Sequence, residues 1–211
     1  MKDRSTLYLA CAALGTLALA AAPAPQAHDG DAHAQSATSQ QQFNNQSRRN
    51  DLVNTVRNVT RKYYGQPIKA ATDDGFQLLF GCVSDDDSGA MGLHYVKLDR
   101  YVIDPVKGVF DAEVKADEPE ILLYEPTPWG PKITGADYIV DAATWDKAHP
   151  QIPPQAPELD GQIFHYFGSP NRFGLPPFYT LHVWAWKESP TGTFVNWHKE
   201  VRCDAHNGPN K

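Results

Sequence analysis

The sequence predicts an α+β fold, with an antiparallel or mixed β-sheet packed against one N-terminal amphipathic helix in a single domain. Three observations support this prediction. Apolar residues near position 55 recur at helical spacing. Beyond residue 76 the pattern changes to short β-type runs separated by Gly, Pro and Asp. The chain shows no internal repeat, and its length suits one ordinary domain.

The predicted helix comes first in the domain. It begins at Asn50, which can cap it, and ends before Gly65. Apolar side chains recur at spacings of four, three and four, at Leu52, Val56, Val59 and Tyr63. Residues 35–49 are mostly Gln, Ser, Asn and Thr, a composition that predicts a flexible polar linker.

Six strands are predicted after the helix, and no second helix of comparable strength separates them. Their boundaries are Gln77 to Val83, Gly92 to Leu98, Ile121 to Tyr124, Ala136 to Val140, Ile163 to Phe167 and Thr180 to Trp186. The domain therefore spans residues 50–205, and residues 206–211 form a C-terminal tail.

The first 34 residues have the order of a secretory signal peptide. Basic residues precede an apolar run of 16 residues, Leu7–Ala22, and small-residue cleavage sites follow at Ala27 and Ala34. The run is shorter than the ~20 residues of a membrane-spanning helix, which argues against a permanent membrane anchor. The sequence predicts cleavage after Ala27 or Ala34 and a periplasmic or secreted, extracytoplasmic protein.

Two cysteines, Cys82 and Cys203, remain after removal of the signal peptide. Thiols tend to oxidise outside the cytoplasm, so a Cys82–Cys203 disulfide is expected. The net charge of the whole chain is −6. A mildly acidic chain without a basic stripe argues against nucleic acid as a partner.

Histidines on two predicted strands are the main candidates for chemistry. His94 and His182 lie within strands, and His165 and Glu125 can reach the same region. Two or three imidazoles with a carboxylate suit a transition metal such as zinc, copper or iron. The opposing interpretation is that each histidine is a hydrogen-bonded structural residue, since no local His-x-His spacing links them.

Aromatic and loop residues extend this candidate site. Alternation along the last strand places Trp184 and Trp186 on the face of His182, where they can wall a ligand pocket or serve as ordinary core residues. In the preceding loop, Asn171 and Arg172 can recognise a carboxylate or brace the loop itself.

Several motifs in order resemble a group of exported bacterial proteins without an assigned activity. They are GCVS at 81–84, GAMG at 89–92 followed by HYV at 94–96, LLYEP at 122–126, LHVWAW at 181–186 and the closing Cys203. The resemblance covers about residues 50–203. It implies a bacterial periplasmic or secreted setting and supplies no activity.

Three hypotheses about function follow. The first is a binding protein that holds a transition metal or a small polar ligand in the His/Glu/Trp pocket. The second is a small metal-dependent or His-based hydrolytic enzyme that uses the same residues. The third is a structural or partner-binding envelope protein in which the histidines are incidental. The sequence leaves the oligomeric state open.

Overall fold

The computed structural model describes residues 29–104 and 109–209. The chain forms two compact units, Met1–Ser39 and Gln40–Lys211. Of the first unit, residues 29–39 are described, and they are helical. The basic segment, the apolar run and the Ala27 site of the predicted signal peptide lie outside the described residues. Within the described ranges, no helix combines the length and apolarity needed to cross a membrane.

An antiparallel sheet of six strands forms the centre of the second unit. Its strands follow the order β1-β2-β5-β6-β10-β9, and every neighbouring pair is antiparallel. The strands of this sheet are β1 (Gln77–Asp85), β2 (Gly89–Val96), β5 (Ile121–Glu125), β6 (Lys132–Asp141), β9 (His165–Phe167) and β10 (Phe178–Val183). Two small pairs accompany it, namely β3 (Val102–Asp104) with β4 (Val109–Phe110) and β7 (Glu158–Leu159) with β8 (Gln162–Ile163).

Each strand of this sheet overlaps a predicted strand, although the ends differ by up to four residues; β2, for example, covers Gly89–Val96 where Gly92 to Leu98 is predicted. Two of the predictions differ more. The predicted strand from Ile163 to Phe167 divides into β8 and β9, which belong to different sheets. The last strand ends at Val183, before the two tryptophans, because the chain leaves the sheet there and the Trp184 amide donates to the Thr193 carbonyl.

One long helix and several short ones accompany the sheet. They are α1 (Asp29–Thr60), a 3-10 turn (Arg61–Tyr63), α2 (Lys69–Asp73), α3 (Leu98–Tyr101) and α4 (Ala142–Ala148). The short helices span four to seven residues, too few to produce a periodic apolar pattern in the sequence. Helix α1 begins at Asp29, so residues 35–49 are helical where the composition predicts a flexible linker.

Apolar residues on the two faces of the sheet form two clusters. Strand β10 shows the division: Phe178 belongs to the first cluster, and Leu181 and Val183 belong to the second. Leu52 and Val56 of α1 are fully buried in the second cluster, whereas Tyr63, predicted on the same apolar face, lies in the 3-10 turn and belongs to the first cluster. The predicted α+β class is confirmed, with an antiparallel sheet and several helices in the described residues where one was predicted.

The predicted disulfide between Cys82 and Cys203 is also confirmed. Their Cα atoms lie 5.8 Å apart, and the bond joins β1 to the C-terminal segment across 121 positions of sequence. Both residues belong to the first cluster. Closing so long a loop restricts the unfolded chain and stabilises the fold by about 4 kcal/mol.

Candidate metal centre

Three buried side chains converge on one face of the sheet: His94 from β2, Asp137 from β6 and His182 from β10. Each residue offers one possible ligand atom, and these three atoms all lie within 4.8 Å of one another. Asp137 and His182 are direct partners in the β6–β10 register, and Asp137 Oδ1 lies 3.5 Å from His182 Nδ1. The rings of the two histidines have centroids 5.9 Å apart and are nearly perpendicular. This group can hold a metal ion.

A backbone hydrogen bond orients the ring of His94. Its Nδ1 lies 3.2 Å from the carbonyl oxygen of Gly92, which can only accept, so Nδ1 carries the proton and Nε2 keeps a lone pair. Histidines that bind metals commonly make such a bond with the second ring nitrogen. Gly92 has φ +87°, and a Cβ there would lie 2.4 Å from the Tyr124 carbonyl oxygen. Glycine is therefore required next to the site.

The side chain of Asp137 is buried, and 3% of the surface of this residue is exposed. The Thr180 hydroxyl donates to its Oδ1 at 2.6 Å. Burial raises the pKa of Asp137 to about 6, against the opposing influences of His94, the Thr180 hydroxyl and backbone amides. When it is ionised, this carboxylate is a buried negative charge that accepts hydrogen bonds from the Thr180 hydroxyl and from backbone amides.

His182 has the least satisfied side chain of the three. Both of its ring nitrogens are buried, and neither makes a hydrogen bond to a described protein atom, since the contact with Asp137 is too long. Burial lowers the pKa of His182 to about 3 and that of His94 to about 4, so both rings are neutral near pH 7. The nearby His165 lowers the pKa of His182 further, whereas an interaction with the Asn196 side chain raises it, and the Asn196 Oδ1 is itself buried without a partner among the described residues.

A cavity of about 30 Å³ adjoins the three side chains. This space can accommodate a water molecule or an ion, whereas small-molecule sites usually measure ~300–1,000 Å³. Its remaining lining is largely aromatic and aliphatic, including Phe80, Phe167, Phe173 and Phe178. Phe80 has φ +67°, an uncommon conformation for a bulky residue, at an irregularity in the β1–β2 pairing. The local backbone strain holds a phenyl ring against the cavity.

No family model matches this chain. Neither a curated protein nor a solved structure matches it.

Two predicted members of the metal site lie elsewhere. Glu125 accepts hydrogen bonds from Lys187 Nζ at 2.8 Å and from the Arg202 backbone amide at 3.1 Å, and it is not part of the converging group. His165 is exposed on β9, where its Nε2 lies 3.3 Å from the Phe194 carbonyl oxygen. Asp137 provides the carboxylate that the sequence analysis assigned to Glu125.

The two tryptophans differ in their relation to the site. Trp184 is buried beside His182, with ring centroids 6.0 Å apart, and its Nε1 donates to the Val195 carbonyl. Trp186 lies instead against the end of α1, where its Nε1 donates to Thr60 Oγ1 and its ring stacks on Tyr64. Only Trp184 therefore adjoins the three converging side chains.

The loop residues Asn171 and Arg172 make structural contacts. The Asn171 amide donates to the Gly168 and Leu175 carbonyls and accepts from two backbone amides of its own loop. Arg172 donates to the Ser84 carbonyl, and its guanidinium lies 5.5 Å from the centre of the Trp197 ring. These contacts correspond to the loop-bracing alternative of the sequence analysis.

Two members of the site, Asp137 and Thr180, are not among the residues predicted from the sequence. Asp137 lies within a predicted apolar strand, and a charged residue buried at such a position requires a partner. A charged residue within an apolar strand is therefore the sequence signal that could have identified Asp137. Thr180 precedes His182 by two positions on the same strand face, where a hydroxyl can contact the next strand.

Proposed function

We propose that this protein binds a divalent transition metal, with zinc as the first candidate, through His94, Asp137 and His182. The observation that carries the proposal is the convergence of three buried side chains, one of which, His182, has no partner in hydrogen-bonding geometry at either ring nitrogen among the described residues. Two imidazoles, one carboxylate and a free fourth position form a ligand set that zinc accepts readily. Iron(II) also uses two histidines with one carboxylate.

The charges of the group support a cation as its occupant. Near neutral pH the two imidazoles are uncharged and Asp137 is ionised, because the pKa values are about 4, 3 and 6. A charge inside a protein is unfavourable unless it is paired as well as hydrogen-bonded. A divalent ion would neutralise the Asp137 carboxylate and would take up the lone pair of one ring nitrogen of His182.

The size of the cavity favours binding over catalysis. A hydrolytic enzyme must admit a substrate beside the metal, whereas the space next to these residues is about 30 Å³ and has an apolar wall. We therefore favour metal binding over the hydrolytic alternative. We also propose an extracytoplasmic location, from the signal-like N-terminus and the disulfide, and membership of the exported bacterial group that the motifs resemble.

The test is zinc titration by calorimetry, after chelator treatment, of the mature protein purified without an affinity tag. His182→Gln and Asp137→Asn retain the approximate size of each side chain while removing a ligand. His165→Gln is the matched control, because this histidine is exposed outside the group. Circular dichroism of each variant verifies the fold.

We expect one zinc per chain in the wild type and in His165→Gln. Losing one of three ligands should weaken binding by a factor of ~100 or more in the other two variants. Elemental analysis of protein from its native compartment would identify the natural metal. A wild type that takes up no zinc, copper or iron, or a folded His182→Gln variant that binds like the wild type, would contradict the proposal.

A further inference from the structure

A wide groove lies next to the hairpin between β5 and β6, lined by residues outside the three-residue metal group. Its volume is about 680 Å³, within the usual range for small-molecule sites. The lining combines exposed aromatic rings with both charged and neutral polar side chains. The residues that carry the inference are Tyr64, Glu125, Trp129, Lys132, Trp186 and Lys187.

Trp129 projects from the turn of the hairpin with 87% of its surface exposed. The Thr127 hydroxyl holds this turn by donating to the Gly130 carbonyl and accepting from the Trp129 amide. Lys132 Nζ lies 5.8 Å from the ring centre. A large aromatic ring that a braced turn presents to water is available for contact with a ligand.

A second aromatic surface in the groove is formed by Tyr64. Its ring stacks on Trp186 with centroids 4.2 Å apart and an angle of 23°, and 56% of the residue stays exposed. Trp186 is itself fixed, because its Nε1 donates to Thr60 Oγ1 at 2.8 Å. The orientation of the Tyr64 ring is therefore set by the fold before any ligand arrives.

Polar groups in the groove offer both donors and acceptors. Lys187 and Glu125 form an ion pair at 2.8 Å, and Lys132 adds one further positive charge. Thr134 also lines the groove, but its hydroxyl oxygen is buried, so the polar groups open to a ligand are the side chains of Lys132, Lys187 and Glu125.

We propose that this groove binds a saccharide. A sugar ring presents a face of C–H groups that packs on an aromatic ring, and its hydroxyls both donate and accept hydrogen bonds. The groove supplies the matching features in Trp129 and Tyr64, in the Lys187–Glu125 pair and in Lys132. Its small net charge argues against a polyanion. A proline-rich peptide would use the rings but would give the acceptor groups few donors.

The test is calorimetric titration of the full mature chain with three soluble trisaccharides: cellotriose, maltotriose and tri-N-acetylchitotriose. Trp129→Ala removes one ring, and Trp129→Phe restores an aromatic face. Tyr166→Ala is the matched control, because Tyr166 is also exposed, at 59%, but is not among the residues that line the groove. A proline-rich decapeptide serves as the competing ligand.

We expect at least one trisaccharide to bind, with ~10-fold weaker binding to Trp129→Ala, partial recovery in Trp129→Phe and no change in Tyr166→Ala. Failure of all three sugars to bind at millimolar concentration would overturn the inference. Equal binding by Trp129→Ala, or binding of the peptide in place of the sugars, would also overturn it. Because none of these substitutions touches the metal ligands, the result is independent of the proposed metal site.

Discussion

Replacing Asp137 with asparagine removes a buried negative charge while keeping the size of the side chain. Burial raises the pKa of Asp137 from 3.8 to about 6. The carboxyl group therefore stabilises the metal-free fold fully below pH 3.8, and this contribution is lost as the pH rises through 6. The difference of about two pKa units corresponds to roughly 3 kcal/mol above pH 7 and to about half of that near pH 5.

The Asp137→Asn variant avoids this loss because its amide does not ionise. In the presence of a chelator we expect it to be more stable than the wild type by up to ~3 kcal/mol at pH 8, with a smaller difference at pH 5. Zinc should reverse the order, because only the wild type retains all three ligands. The variant would then be the more stable protein without metal and the less stable one with it.

The measurement is urea unfolding of both proteins at pH 5 and pH 8, each with chelator and with excess zinc. His165→Gln serves as the control for loss of a nearby side chain outside the group. Our account of the site would be refuted if metal-free Asp137→Asn were less stable than the wild type at pH 8 and the difference did not change at pH 5. In that case the carboxylate would have a compensating partner.

Three further substitutions test other parts of the structure. Cys82→Ala/Cys203→Ala should lower the free energy of unfolding by about 4 kcal/mol in urea, and a reducing agent should have no added effect on that variant. Thr180→Val removes the donor to Asp137 and should weaken zinc binding ~10- to 100-fold by calorimetry, whereas unchanged affinity would show that this hydroxyl does not position the carboxylate. Glu125→Gln should leave zinc affinity within about twofold of the wild type while lowering stability by ~1 kcal/mol or less, and a large loss of zinc affinity would return Glu125 to the metal site.

The spacing of apolar residues along the sequence was sufficient to predict most strands of the sheet and the burial of Leu52 and Val56 on α1. Leu52 and Val56 are buried at the predicted helical spacing, and alternation along β10 separates His182 from Leu181. The disulfide followed from counting cysteines in an oxidising setting. These features depend on residues close together in sequence, or on a pair with only one possible pairing.

Which residues meet at the site depends on the order of the strands in the sheet. The spacing of residues along the sequence does not contain that order. Asp137 meets His182 because β6 is the direct neighbour of β10, and His94 reaches them from β2, on the other side of β5. Glu125 is predicted in the site because it directly follows a predicted strand. In the structure it forms an ion pair with Lys187 at that position. Only the assembled sheet distinguishes the two carboxylates.

The phenylalanine wall around the small cavity also bears on how quickly a bound ion could exchange. A hydrated ion cannot pass between packed phenyl rings without shedding water or displacing them. Uptake and release would then wait for a transient movement of these rings, whatever the strength of the ligands. Residence time and affinity would be set by different parts of the molecule. A chelator added to the folded protein would remove the ion only as fast as that wall opens.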